Sequence, residues 1–206
     1  MKSILLLENR KGRQAQFLDL SELKDLRSIK GFVEPNEEDC EKWLQQINQK
    51  KFDLLKNYSL LIIHKTAIEH AEVVQELSRF CSDFKIDLIL FSGGLSQIVY
   101  GRDKHQSLAI NSGDFYSSRL VSFIRNYTSG KTNSLLELIY GENWKLETLL
   151  RYRMIKKILE EERKSDGNLK EIIRREDELE EIDLENNFGI SPDSLDREIN
   201  KILTSL

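Results

Sequence analysis

The side chains with the greatest chemical potential in this sequence stand at the ends of short apolar runs. Glu8 and Asn9 follow one run, His64-Lys65-Thr66 a second, Ser92-Gly93-Gly94 a third and Asn111-Ser112 a fourth. Glutamate, histidine and serine together form a set that nucleophilic catalysis uses: the serine attacks, the histidine takes its proton and the carboxylate orients the ring. Glu8, His64 and Ser92 are therefore the candidate catalytic residues, and Asn9, Lys65, Thr66, Gly93, Gly94, Asn111 and Ser112 the candidate binding residues. The same polar groups have a plainer use at strand ends, where they satisfy backbone donors and acceptors. The sequence carries no G-x-S-x-G elbow, and Ser92-Gly93-Gly94 offers only part of an oxyanion site. No metal site and no cofactor are expected: His70 and His105 lack cysteine or acidic partners at ligand spacing, and Cys40 and Cys81 stand apart from each other.

The elements that must position these residues follow from periodicity. Residues 2–7, 31–35, 58–63, 86–91 and 107–110 read as strands, the clearest being continuous apolar runs of the kind buried on both faces. Between them, residues 13–29, 37–50, 67–84 and 115–127 carry the helical period, and 95–106 reads as a weaker helix or loop. Asn36 is a good N-cap for the second of these helices, with acidic residues filling its first turn. Five strands alternating with helices imply an α/β fold, a doubly wound five-stranded parallel sheet in the order 2-1-3-4-5, with an α-helical C-terminal extension. The expected division is an α/β domain over residues 1–127, a linker over 128–133 and a charged helical extension over 134–206.

In the extension, residues 134–140 and 144–159 read as helices. Residues 160–185 hold 12 acidic and 5 basic side chains around a scattering of leucine and isoleucine, with a break expected at Ser165-Asp166-Gly167-Asn168. Ser191-Pro192 should start a last helix, since serine caps well and proline suits the first helical position. Basic residues cluster at Lys145, Arg151, Arg153, Lys156 and Lys157, with Trp144 and Tyr152 between them, a composition that can touch nucleic acid. Against that, the chain as a whole has a net charge of −4 and the acidic run follows at once, which favours helix packing against a protein partner. With 39% apolar and 32% charged residues over 206 positions, the composition is that of a globular protein, and no apolar run approaches the ~20 residues of a membrane span. Two isolated thiols and the lack of a long apolar leader make the cytoplasm the expected location.

The order of polar strand ends over the first 126 residues or so resembles the receiver domains of response regulators. Those domains place an acidic pair after strand one, a phosphorylated aspartate after strand three, a serine or threonine after strand four and a lysine after strand five. Here Glu8-Asn9 keeps one carboxylate of the pair and Ser92 matches the serine, but His64 stands at the phosphoacceptor position and Asn111 or Ser112 replaces the lysine. The resemblance therefore implies a degenerate pseudo-receiver, a signalling fold kept for docking rather than for aspartyl phosphorylation. Ser92-Gly93-Gly94-Leu95-Ser96 also resembles the S-G-G-x-D-S loop of the ATP pyrophosphatase family, with Ser96 in the aspartate position and the fourth strand in place of the first. Gly130-Lys131-Thr132 matches the end of a P-loop, but Arg125 occupies the place of its first glycine. The expected function is a non-enzymatic protein–protein interaction and regulatory module of a larger bacterial complex. It would meet a protein partner, or a second copy of itself, through the C-terminal helices, reaching nucleic acid only indirectly and no membrane. The alternatives are an enzyme using Glu8, His64 and Ser92, and a nucleic-acid-associated accessory subunit of a defence or repair complex.

Overall fold

Residues 2–102, 104–165, 168–182 and 184–204 are described by the computed structural model. Six strands make one sheet: β1 (Ile4–Leu7), β2 (Phe32–Val33), β3 (Leu60–His64), β4 (Asp87–Ser92), β5 (Val99–Arg102) and β6 (Gln106–Asn111). Their order is β2-β1-β3-β4-β6-β5, and all neighbours are parallel except the antiparallel pair β5 and β6. Contacts divide the chain into two compact units, Met1–Gly141 and Glu142–Leu206.

The helices of the first unit are α1 (Gln14–Phe17), α2 (Leu20–Ser28), α3 (Glu37–Asn48), α4 (Ala71–Phe84), α5 (Ser112–Phe115), α6 (Leu120–Ser129) and α7 (Leu136–Tyr140). Side chains alternate across the strands, so each apolar run supplies two cores. Ile4, Leu6, Leu60, Ile62, Ile89, Phe91, Leu108 and Ile110 face a cluster completed by Leu23 and Leu26 of α2 and Phe123, Ile124 and Tyr127 of α6. Leu5, Leu7, Leu61, Ile63, Leu88 and Leu90 face the other, completed by Cys40, Leu44 and Ile47 of α3 and Val73, Leu77 and Cys81 of α4. The sheet is thus doubly wound, as the continuous apolar runs predict.

Four expectations are corrected. The sheet has six strands, not five, because residues 95–106 contribute β5 rather than a helix. Their apolar residues lie consecutively at Ile98-Val99-Tyr100, which suits a short edge strand and gives no helical stripe. Without a helix there, β6 alternates buried Gln106, Leu108 and Ile110 with half-buried Ser107, Ala109 and Asn111. The helix expected over 13–29 is two helices, broken where Asp19 accepts from the backbone N–H groups of Ser21 and Glu22 while Glu22 accepts from that of Asp19, a capping box that opens α2. The helix expected over 67–84 begins only at Ala71, and that expected over 115–127 is the turn α5 followed by α6.

The expected linker, 128–133, lies within the first unit: it completes α6 and leads into α7. A polar knot at the amino end of β4 and β6 holds it there. Asp87 accepts from the Gln106 backbone N–H (2.8 Å), from its side-chain Nε2 (3.1 Å) and from the Tyr127 hydroxyl (2.7 Å). Gln106 also donates to the Asn133 carbonyl, and its Oε1 accepts from Leu135 N–H (3.1 Å) and the Tyr100 hydroxyl (3.0 Å). Gly31, at φ +92°, makes the tight entry to β2, where a Cβ would sit 2.7 Å from the Lys2 carbonyl oxygen.

The second unit is helical: α8 (Trp144–Lys164), α9 (Leu169–Ile182), α10 (Leu184–Phe188) and α11 (Leu195–Leu203). Of the expected break at 165–168, Asp166 and Gly167 lie outside the described residues. Leu146 and Leu149 of α8 pack with Leu184, Ile190, Leu195 and Ile199. Acidic side chains of α9 and α11 pair with basic ones of α8: Lys145–Glu198 (2.7 Å), Arg151–Glu178 (3.6 Å), Arg153–Asp196 (3.5 Å), Arg163–Glu176, and Glu162–Arg175 in the opposite sense (3.1 Å). No described helix is long and apolar enough to cross a membrane.

Removal of the Gln106 side chain leaves a buried backbone N–H and two other polar partners unmatched, so Gln106→Ala should lower the unfolding free energy by about 2–4 kcal/mol. Tyr127→Phe, which removes one donor, should lower it by about 1–2 kcal/mol. Urea unfolding of the two variants checks this ranking; a Gln106→Ala loss smaller than that of Tyr127→Phe would contradict it.

Candidate functional site

Parallel pairing brings the carboxyl ends of β1, β3, β4 and β6 to one end of the sheet, with Leu7 opposite Ile63, His64 opposite Phe91 and Ser92 opposite Asn111. Side-chain parity then sorts the predicted residues. Glu8 continues the row of Ile4 and Leu6, and His64 that of Leu60 and Ile62, so both lie on the α2–α6 face. Ser92 continues the row of Leu88 and Leu90 and lies on the α3–α4 face, as Asn111 does beside it.

Glu8 is buried, at 1% exposure. Its Oε1 accepts from the Arg10 backbone N–H (2.8 Å) and its Oε2 from the Tyr116 hydroxyl (3.1 Å). Burial raises its pKa, against the lowering effect of these hydrogen bonds and of the Arg13 and Arg10 charges. The Tyr116 phenol is raised by burial and then by the adjacent carboxylate. His64 is fully buried, with its ring edge-on to Phe91 at 5.2 Å between centroids. The Arg13 Nη1 lies 3.0 Å from its Nε2 and the Thr66 Oγ1 2.8 Å from its Nδ1. A guanidinium can only donate, so Nε2 is the acceptor, Nδ1 carries the proton, and that N–H donates to Thr66. Burial, then the charges of Arg13 and Arg10, push the His64 pKa down to about 4.

Ser92 turns inward to its own loop, its Oγ accepting from the Gly94 N–H at 3.4 Å. Asn111 laces the same loop to β6: its Nδ2 donates to the carbonyls of Leu95 (2.9 Å) and Gly93 (3.3 Å), and its Oδ1 accepts from the Gly113 N–H (2.8 Å). Ser112 is buried, whereas Asn9, Lys65, Thr66, Gly93 and Gly94 are exposed. Among the described residues no hydrogen bond joins any two of Glu8, His64 and Ser92, and no group of three or more His, Cys, Asp or Glu could hold a metal ion. What the structure brings together instead is Arg13, His64 and Thr66, and beside them Glu8, Tyr116 and Arg10. Arg13 was absent from the expected site; the available signal was the basic run Arg10-Lys11-Gly12-Arg13 directly after the first strand.

The depressed His64 pKa has a definite sign. As pH falls below the ordinary imidazole value of 6.5, the unfolded chain takes the proton before the folded one. His64 is therefore neutral in its effect at and above about pH 7, removes stability between about pH 6.5 and 4, and reaches a penalty of about 3 kcal/mol that stops growing below about pH 4. Glu8, raised, acts oppositely: the folded state protonates first, and acidification returns some stability. Ring-carbon NMR of the full chain should place the His64 midpoint near 4; a midpoint at the ordinary value would show that Arg13 and burial do not hold the ring neutral. No family model matches the chain, and neither a curated protein nor a solved structure matches it.

Proposed function

We propose that this chain is a non-enzymatic, receiver-like interaction and regulatory module that assembles with a larger bacterial complex through its helical unit. One observation carries the reading: the residue at the phosphoacceptor position of the receiver resemblance is a buried neutral histidine whose two ring nitrogens are bonded to Arg13 and Thr66. An imidazole so engaged offers no lone pair to phosphorus, and the one acidic side chain beside it, Glu8, is bonded to Tyr116 and to a backbone N–H. Magnesium would find one carboxylate where aspartyl phosphorylation needs several oxygens. The chemistry of the resemblance is gone while the sheet that displayed it remains.

The helical unit supports the binding half of the reading. Met154 on α8 and Leu169 and Ile173 on α9 are 57%, 69% and 48% exposed, the latter two one helical turn apart on an otherwise charged helix. In the basic cluster of α8, Lys145, Arg151 and Arg153 are already paired with acidic residues of the same unit, which weakens a direct role in nucleic-acid binding.

Incubation with acetyl phosphate and Mg²⁺ should leave the intact mass of the full chain unchanged; a stoichiometric, hydroxylamine-sensitive adduct would refute the pseudo-receiver reading. Gentle purification from the native cell should yield a defined protein partner or a stable oligomer, and Leu169→Glu with Ile173→Glu should release it without loss of helix content. A clean monomer with nothing attached would remove the support for assembly.

A further inference from the structure

At the carboxyl end of the sheet three cations stand in the segments that follow β1 and β3. Arg10 and Arg13 come from the segment after β1, and Lys65 directly follows β3. Among the described residues the Arg13 side chain makes one hydrogen bond, to His64, and the side chains of Arg10 and Lys65 make none and no ion pair. Glu69 and Asp114, among the exposed carboxylates at this end, pair with none of the three. The nearby carboxylate, Glu8, is buried and faces Tyr116.

We propose that this end of the sheet is a binding site for a phosphate-type oxyanion, gripped by Arg13 with Lys65, Arg10 and the Thr66 hydroxyl beside it. The function of His64 is then a positioning one. Had a carboxylate held Arg13, it would have cancelled the charge it oriented. A neutral imidazole lone pair fixes one N–H of the guanidinium, adds no negative charge of its own and leaves the remaining donors for a ligand. Thr66, which accepts from the ring Nδ1–H, keeps its own hydroxyl proton to donate. The loop opposite leaves room for close approach: a Cβ at Gly93 would meet only the Arg13 Nη1, at 4.0 Å, and one at Gly94 nothing within 4 Å. The group lies outside the carboxyl ends of parallel strands, where this architecture places ligands. Three cations and a planar fork suit a doubly charged tetrahedral group better than a single carboxylate, so a phosphate monoester or inorganic phosphate is the class indicated. This site stands apart from assembly through the helices and does not rest on it.

The test is titration of inorganic phosphate into the full chain at constant ionic strength, read by NMR at the Arg13 side-chain N–H and the His64 ring nitrogens. Saturable shifts at both are expected, with affinity at least about tenfold weaker in Arg13→Ala and intermediate in Arg13→Lys, which keeps the charge and loses the fork. Arg125→Ala, at the opposite end of the sheet, should bind as the unaltered chain does. Unsaturable shifts, equal affinity in Arg13→Ala, or an equal loss in Arg125→Ala would overturn the proposal. Should Arg13→Ala not fold, Arg13→Lys decides: unchanged affinity there overturns the guanidinium grip. Phosphoserine as a second probe identifies the source, since tighter binding than phosphate points to a phosphorylated side chain and equal binding to the free ion.

Discussion

Parallel pairing of a sheet that is apolar on both faces governs everything else in the first unit. Because β1, β3, β4 and β6 run the same way, every crossover must return to the opposite end, and the polar residues that follow their apolar runs emerge at the same end. Those residues emerge next to a core that takes Ile4, Leu6, Ile62 and Phe91 on one side and Leu7, Ile63 and Leu90 on the other. A polar group in that position has little water and must find a partner in the protein. The partners come from the turns and helices gathered at that end: Arg10 N–H and Tyr116 for Glu8, Arg13 and Thr66 for His64, the Gly94 N–H for Ser92. The candidate site is thus the solution to a burial problem before it is anything else.

That origin explains what the sequence disclosed. The strands β1, β3 and β4 were legible because an unbroken run of leucine and isoleucine can be little else at that length, and their alternation with helices fixed the parallel order around them. The segment 95–106 was harder, since a short edge strand carries no two-sided apolar signature and pairs antiparallel through a local hairpin. The break at Asp19 was visible as an Asp-x-x-Glu capping box but was overridden by apolar residues on either side that happened to continue the period. Leu20, most exposed of these, shows that the period there was coincidental.

The candidate site was legible by position and not by connection. Parity alone separates Ser92 from His64, because each residue inherits the face of the alternating row before it. That inference needs only the strand register, and it would have split the proposed triad from the sequence. Arg13 needed more. Its place over His64 depends on a four-residue helix and a turn folding back over the strand ends, an arrangement set by tertiary contacts such as the stacking of Phe17 on Tyr116 at 5.7 Å. No local propensity announces it.

The two ends of the sheet then show opposite uses of buried polarity. At the amino end, Asp87 and Gln106 satisfy donors from Tyr127, Tyr100 and Leu135, and the result is a closed knot that ties β4, β6, α6 and the approach to α7 together. At the carboxyl end the network stays open, because a neutral imidazole takes one donor from a guanidinium that has several and adds no charge of its own. A closed network contributes stability; an open one with excess donors on a cation leaves binding capacity unspent. Net charge cannot reveal this, since the chain is acidic overall and its carboxylates lie largely on the helices. What distinguishes the carboxyl end is local: the buried Glu8 is hydrogen-bonded to Tyr116 and to the Arg10 backbone N–H, and to none of the cationic side chains beside it.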